Sequence, residues 1–287
     1  MSQKGLTMTK INIIQRAIRP TLLTLLTGAA VLLAFSSLAE ASAKGHATAV
    51  KPTVVLVHGA WANGSSWDGV VARLQDQGYT VDVPPNPLRG LASDSAYLAS
   101  YLDTITGPIL LAGHSYGGMV ITNAATGNPA VKALVYIDAY MPAQGDTILG
   151  LTSAMPGSTL ADPTAAFNFV PFTSPTGADT DLYVKPSVYR ADFGADLSVR
   201  LDAILAATQE PLAASALQEP SGPPAWTTIP SYALIGMQDM VLPPAEQEFM
   251  AARADATVVK INGSHLALIS HPQAVANLIE RAATATQ

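Results

Sequence analysis

Ile109-Leu110-Leu111-Ala112-Gly113-His114-Ser115-Tyr116-Gly117-Gly118-Met119-Val120 decides how the rest of the chain is read. Ile109 to Leu111 form a short apolar run of the kind found in a buried strand. Gly113-His114-Ser115-Tyr116-Gly117 then matches G-x-S-x-G, a sharp strand-to-helix turn that exposes a serine hydroxyl. Such a turn needs neighbours without side-chain bulk, and Gly113, Gly117 and Gly118 supply them. The serine would stand at the carboxyl end of a parallel sheet and at a helix N-terminus. There the Tyr116 N–H can point at a developing oxyanion.

The flanking rhythm fits that placement. Thr53-Val-Val-Leu-Val57 reads as a strand buried on both faces. A helix follows to about Gln77, with Ser65 or Ser66 as its cap. Thr80–Val83 is a short strand, and Ser93 caps a helix reaching about Thr106. After the elbow come a strand at Val131–Ile137, another at Ser231–Ile235, a helix at Pro243–Ala254, a strand at Thr257–Ile261 and a last helix at Pro272–Ala283. Alternation of this kind predicts a doubly wound, mostly parallel six-stranded α/β sheet with helices on both faces. Too few residues precede Thr53 for two further opening strands. Between about 143 and 228 the rhythm breaks into a Pro- and Gly-rich stretch without strand signals. It is expected to be a cap inserted over the carboxyl edge of the sheet.

Serine is a weak nucleophile and needs a base that is itself oriented by a third group. With this turn the chain order is Ser, then acid, then His. His265 follows the last strand, at the edge where Ser115 lies; His271, just before Pro272, is the second candidate. His58 and His114 precede the acid and read as loop-holding residues. Asp239 and Asp138 both end strands. Asp239 stands one strand before His265, where it can reach the far ring nitrogen and fix the tautomer. Asp138 serves only in a variant topology. The turn after the first strand, His58-Gly59-Ala60-Trp61, offers the Ala60 N–H as a second oxyanion donor beside that of Tyr116. Trp61, Met119, Tyr140, Met141 and Trp226 are candidates for the pocket wall, with Phe167, Phe169, Phe172 and Tyr183 from the cap.

These motifs together resemble the α/β-hydrolase superfamily, and within it the plant methylesterase and hydroxynitrile lyase group with related bacterial esterases. His58-Gly-Ala-Trp61, Gly113-His-Ser-Tyr-Gly-Gly-Met119, Ala139-Tyr-Met-Pro142, Asp239 with Pro243, and Gly263-Ser-His-Leu-Ala-Leu268 line up in order from Thr53 to Ala283. The resemblance implies Asp239 as the acid, because the group carries a small residue where Asp138 stands. The lyases have threonine where this chain has Gly59 and lysine where it has Leu266, which counts against cyanohydrin cleavage and for ester hydrolysis. The methylesterases carry a further His-Gly where Ala62-Asn63 stand, so their particular substrates do not transfer.

The expected activity is cleavage of small carboxylic esters through an acyl-Ser115 intermediate, with no metal or organic cofactor. Lactone, amide or peracid chemistry on the same three residues, and ligand binding without turnover, stay open as alternatives. The chain has no cysteine, which excludes disulfides, thiolate metal sites and a thiol nucleophile. An acid-free start with Lys4, Lys10, Arg16 and Arg19, an apolar run from Thr21 to about Phe35, and Ala41-Ser42-Ala43 read as an export signal over residues 1–43. Ala39-Glu40-Ala41 is a second cleavage candidate. The domain then spans 44–287 and is secreted or periplasmic. Without Glu40 and the four leader bases, 20 acids face 11 bases. That surface disfavours nucleic acid and anionic membranes as partners and leaves a small ester molecule as the expected one. Mass spectrometry of exported protein should find its N-terminus at Lys44; a mature chain that retains Met1 would remove the export reading.

Overall fold

The computed structural model describes residues 50–174 and 177–286. The expected export signal over residues 1–43 and its expected cleavage site lie outside the described residues. Among the described residues, six parallel strands form one sheet: β1 (Thr53–Val57), β2 (Val81–Asp82), β3 (Ile109–His114), β4 (Val131–Ile137), β8 (Ser231–Gly236) and β9 (Thr257–Ile261), in the order β2-β1-β3-β4-β8-β9. The six-stranded parallel sheet expected from the sequence is the one found. Strands β3 and β8 are buried at every residue, whereas the edge strand β9 alternates between half-buried and exposed. Central strands of a parallel sheet are covered on both faces, so they read as unbroken apolar runs.

From β1 the chain winds outward to β2 and then returns past β1 to β3. Right-handed crossovers in opposite directions put the intervening helices on opposite faces. The Leu91–Leu102 helix packs with Tyr116–Ala124, and the Asp68–Asp76 helix packs with Pro272–Ala285. The last helix buries Val275, Ala276, Leu278, Ile279, Ala282 and Ala283, an apolar stripe at helical spacing. Because winding reverses between β1 and β3, the loops leaving their carboxyl ends diverge and open a crevice there. Those loops are His58–Trp61 and the Ser115 turn.

Two expected caps are displaced. Asn63, not Ser65 or Ser66, opens the first helical segment, with its side chain accepting the Ser65 N–H at 3.0 Å. Ser93 lies inside its helix, which begins after Gly90; the Asp94 carboxylate accepts the Arg89 N–H there. The first replacement is an Asx side chain, an acceptor as good as serine, whereas the second helix starts after Gly90 without a side-chain cap.

The stretch between β4 and β8 does contain strands, contrary to expectation. β5 (Phe167–Ser174) and β6 (Gly177–Val184) pair antiparallel, and β7 (Leu212–Ala213) joins the far side of β6. Pro171 hid β5, because proline lacks the ladder N–H and argues against a central strand. Here β5 is an edge strand, where that N–H is not required. Most of β5 is also exposed, so no burial alternation marks it. The same stretch also holds a helix at Val199–Ala207, capped by Ser198.

The elbow is packed backbone against backbone. A Cβ on Gly113 would stand 2.6 Å from the Gly117 carbonyl oxygen, and one on Gly117 would stand 2.5 Å from that of Val57. Gly113→Ala should therefore lower stability by about 1–3 kcal/mol, the usual cost of forced overpacking. Denaturant unfolding measures it; an unchanged midpoint would mean that the turn relaxes freely.

Candidate active site

Ser115 connects β3 to the next helix with φ 52° and ψ −121°, a conformation that side-chain-bearing residues rarely hold. Its neighbours over-determine it. The Ser115 N–H donates to the Ile137 carbonyl at 3.3 Å, and the Ser115 carbonyl accepts the N–H groups of Gly118 and Tyr140 at 2.9 and 3.3 Å. The side chain is thereby held above the sheet edge. Tyr116 begins the helix, so its N–H has no acceptor within it. Gly59 lets the β1 loop approach, for a Cβ there would meet Ser115 Cβ at 2.7 Å. Ala60 and Tyr116 both line the cleft that Ser115 faces.

Three residues remote in sequence meet in a line. The Ser115 Oγ lies 3.0 Å from His265 Nε2, and His265 Nδ1 lies 2.8 Å from Asp239 Oδ2. Asp239 is fully enclosed and receives further donors. Its Oδ1 accepts the N–H groups of Val241 and Leu242 at 2.8 and 2.9 Å, and its Oδ2 accepts the Gln247 amide at 2.9 Å. Burial raises the Asp239 pKa, and the Leu242, Val241 and Gln247 donors oppose that rise. Every group touching this carboxyl is a donor, so the site is built for the charged form. A carboxylate beside Nδ1 assigns the imidazole proton to Nδ1 and leaves the Nε2 lone pair facing Ser115. Burial pushes the His265 pKa down to about 3, which keeps the ring neutral.

The other candidates have different surroundings. Asp138, at φ 43°, accepts the Gly236 N–H at 2.6 Å and so pins the end of β8. Burial raises its pKa first and the charge of Asp239 second. Two enclosed carboxyls cannot both ionise cheaply, and the donors gathered on Asp239 favour the charge there over Asp138. His114 donates from Nε2 to the His265 carbonyl at 2.9 Å. His58 spans its loop, with Nδ1 2.9 Å from the Gly59 carbonyl and Nε2 accepting the Asn86 N–H at 3.1 Å. His271 lies against Ser270, 2.8 Å from its hydroxyl.

About 530 Å³ of space free of protein atoms, part of it open solvent, lies in the cleft. Trp61 and Tyr140 line it. Met119, Met141 and Trp226 do not. Met119 is fully buried in the elbow helix, Met141 packs with its N–H on the Met250 sulfur, and the Trp226 indole donates to the Pro142 carbonyl. Of the inserted aromatics, Phe167 lines the cleft and stacks on Trp61 at 5.1 Å. Phe169 is half exposed, and Phe172 lies under the Arg89 guanidinium; Tyr183 does not reach the cleft. Apart from Thr152, the remaining wall is apolar, chiefly Ile148, Leu149, Leu160, Leu212, Leu217 and Val241. These residues sit in segments without periodicity, so nothing in the sequence marked them. Phe193, edge-on to His265 at 5.3 Å, was missed for the same reason; Gln247, the partner of Asp239, lies in an expected helix, where nothing distinguishes a buried amide from an ordinary polar position.

The alpha/beta hydrolase family model matches residues 54–278. The chain belongs to this family. A carbendazim hydrolyzing esterase of Nocardioides sp. (strain SG-4G) is 36% identical over 110 residues, covering 34% of this chain and 46% of that protein. A pyrethroid hydrolase of Sphingobium wenxiniae is 33% identical over 108 residues, covering 33% and 38%. In both matches the chain spans less than half of the relative's length. The crystal structure of polyneuridine aldehyde esterase superposes with a TM-score of 0.71 at 18% identity, covering 81% of this chain and 99% of that one, a likeness of fold.

Inside this alpha/beta hydrolase, Glu246 is a third enclosed acid, with neither carboxyl oxygen hydrogen-bonded among the described residues. Burial, then the charge of Asp239, raises its pKa from 4.5 to about 8. The folded protein thus keeps a proton that the unfolded chain releases above pH 4.5, and stability falls as pH rises from there to about 8. Glu246→Gln, which mimics the protonated acid, should gain stability over the parent as pH goes from 5 to 8. Urea unfolding at both pH values reads this, and a constant difference would contradict it.

Proposed function

We propose that this protein is a serine hydrolase of small carboxylic esters, with Ser115 as nucleophile, His265 as base and Asp239 as the acid that orients it. One observation carries the proposal: the unbroken contact line from Ser115 Oγ through His265 to Asp239, starting at a strained serine that opens on an apolar cleft. Ser115 Oγ attacks the ester carbonyl carbon as its proton passes to His265 Nε2. Asp239 stabilises the imidazolium formed, without itself taking the proton. The N–H groups of Ala60 and Tyr116 receive the charge on the carbonyl oxygen. Collapse breaks the bond to the alcohol, which leaves with the proton from His265. Water then gives a proton to His265 and attacks the acyl carbon; the acid departs as the proton returns to Ser115 Oγ.

The names of the two relatives, an esterase and a pyrethroid hydrolase, support a carboxylesterase-like activity. The composition of residues 1–43 supports work outside the cytoplasm. The residues assigned here need no cofactor for these steps.

Ser115→Ala should lower turnover of a nitrophenyl ester by on the order of 10⁶ while the protein stays folded. Asp239→Asn should lower it by about 10⁴ by favouring the wrong imidazole tautomer. Asp138→Asn should cost far less, since it keeps an acceptor for the Gly236 N–H. Steady-state rates with melting curves check all three. A folded and nearly active Asp239→Asn beside a folded but inactive Asp138→Asn would move the acid to Asp138.

A further inference from the structure

The cleft wall contains few polar side-chain atoms, and most are already committed. Ser115 Oγ faces His265. The Trp61 indole N–H donates to the Leu182 carbonyl at 2.7 Å, and the Tyr116 hydroxyl donates to Asp94 at 2.8 Å. Tyr140 and Thr152 differ. Their hydroxyls lie 2.8 Å apart and bond only to each other among the described residues. Two hydroxyls bring two protons, and one bond between them uses one. Whichever donates, the other keeps a proton and lone pairs without a partner. Both residues are almost fully enclosed, where an unspent donor is costly. The surrounding Ile148, Leu149, Leu160 and Val241 have no side-chain acceptor to offer.

The pair also has a defined place relative to the reacting serine. The Tyr140 N–H donates to the Ser115 carbonyl, so the phenol hydroxyl stands one tyrosine side chain away from the elbow backbone. Thr152 comes from the helix Ile148–Ala154 in the inserted segment, which presents Ile148 and Leu149 to the same cleft. Burial raises the Tyr140 pKa, so the phenol keeps its proton at any working pH. The two hydroxyls are themselves neutral and suit a hydroxyl, ether or ketone oxygen, while the nearby acids Glu246 and Asp239, which also raise the Tyr140 pKa, disfavour a carboxylate there.

We propose that the paired hydroxyls of Tyr140 and Thr152 form a polar subsite in the ester cleft, which selects esters carrying a second, neutral oxygen in the acyl chain or the alcohol, apart from the ester group. This rests on the ester hydrolase reading and adds a specificity-determining pair to it. The oxygen takes the spare proton and completes the hydrogen bonding that the protein leaves unfinished. A methylene in its place leaves that proton stranded.

The test uses matched nitrophenyl and methyl esters in which an oxygen, as hydroxyl, ether or ketone, replaces a methylene at successive positions. At one position the wild type should prefer the oxygen-bearing ester by roughly tenfold in kcat/KM, the worth of about one buried hydrogen bond. Either single substitution leaves one hydroxyl with a spare proton, so the double variant Tyr140→Phe/Thr152→Val, which removes both, should bring the ratio close to one, with melting curves confirming that it folds. A ratio near one at every position in the wild type, or a preference that survives both substitutions, overturns the subsite. Failure of the ester reading looks different, because plain esters would then not turn over at all. In that case calorimetry of the same pairs on Ser115→Ala reads the preference as an affinity ratio, judged by the same criterion.

Discussion

The serine at positive φ is the constraint on which the rest of the site depends. Ser115 holds φ 52° because glycines around it let backbone touch backbone, with the Val57 carbonyl pressed against Gly117. Strain of this kind costs on the order of 1–3 kcal/mol and persists only where the surroundings over-determine it. Here the surroundings are the three central strands. β1, β3 and β4 are hydrogen-bonded side by side, and the Ser115 backbone bonds directly to Ile137 and Tyr140 at the end of β4. Ser115 is thus tied to the sheet and not carried on a free loop.

Electrostatics divides the acids by their partners. Asp138, Asp239 and Glu246 are all enclosed, and burial raises the pKa of each. Only Asp239 collects donors on both oxygens: two backbone N–H groups, the Gln247 amide and the His265 ring. Fixed dipoles favour the charge on Asp239, and that charge together with burial disfavours ionisation of the other two acids. Of these three acids only Asp239 meets the His265 ring, whose Nδ1 lies 2.8 Å from its Oδ2.

The inserted segment completes the cleft through side chains rather than through its own compact core. Phe167 stacks on Trp61, the Tyr189 hydroxyl donates to the Trp61 carbonyl, and Phe193 stands edge-on to His265. Ser264, next to His265, donates to the Phe193 carbonyl at 3.0 Å and to Asp196. Substrate walls and the histidine loop are therefore coupled through the same contacts. Changes to this segment act on both.

Sheet type, strand count and the positions of Ser115, Asp239 and His265 were legible in the residues. Buried parallel strands are continuous apolar runs, and an elbow has no room for anything but glycine at Gly113 and Gly117. Chain order then left few acids and histidines at strand ends. The antiparallel hairpin at 167–184 was not legible, since Pro171 and an exposed face erase the signature of a strand. Neither were the cleft wall, Gln247, or the difference between Met119 and Phe167. A large apolar side chain reads the same in a core as beside a substrate, and only packing decides which atoms it faces. The pairing of Tyr140 with Thr152 is likewise a product of tertiary structure, because two hydroxyls twelve residues apart acquire a shared role only when a loop and a helix bring them to 2.8 Å.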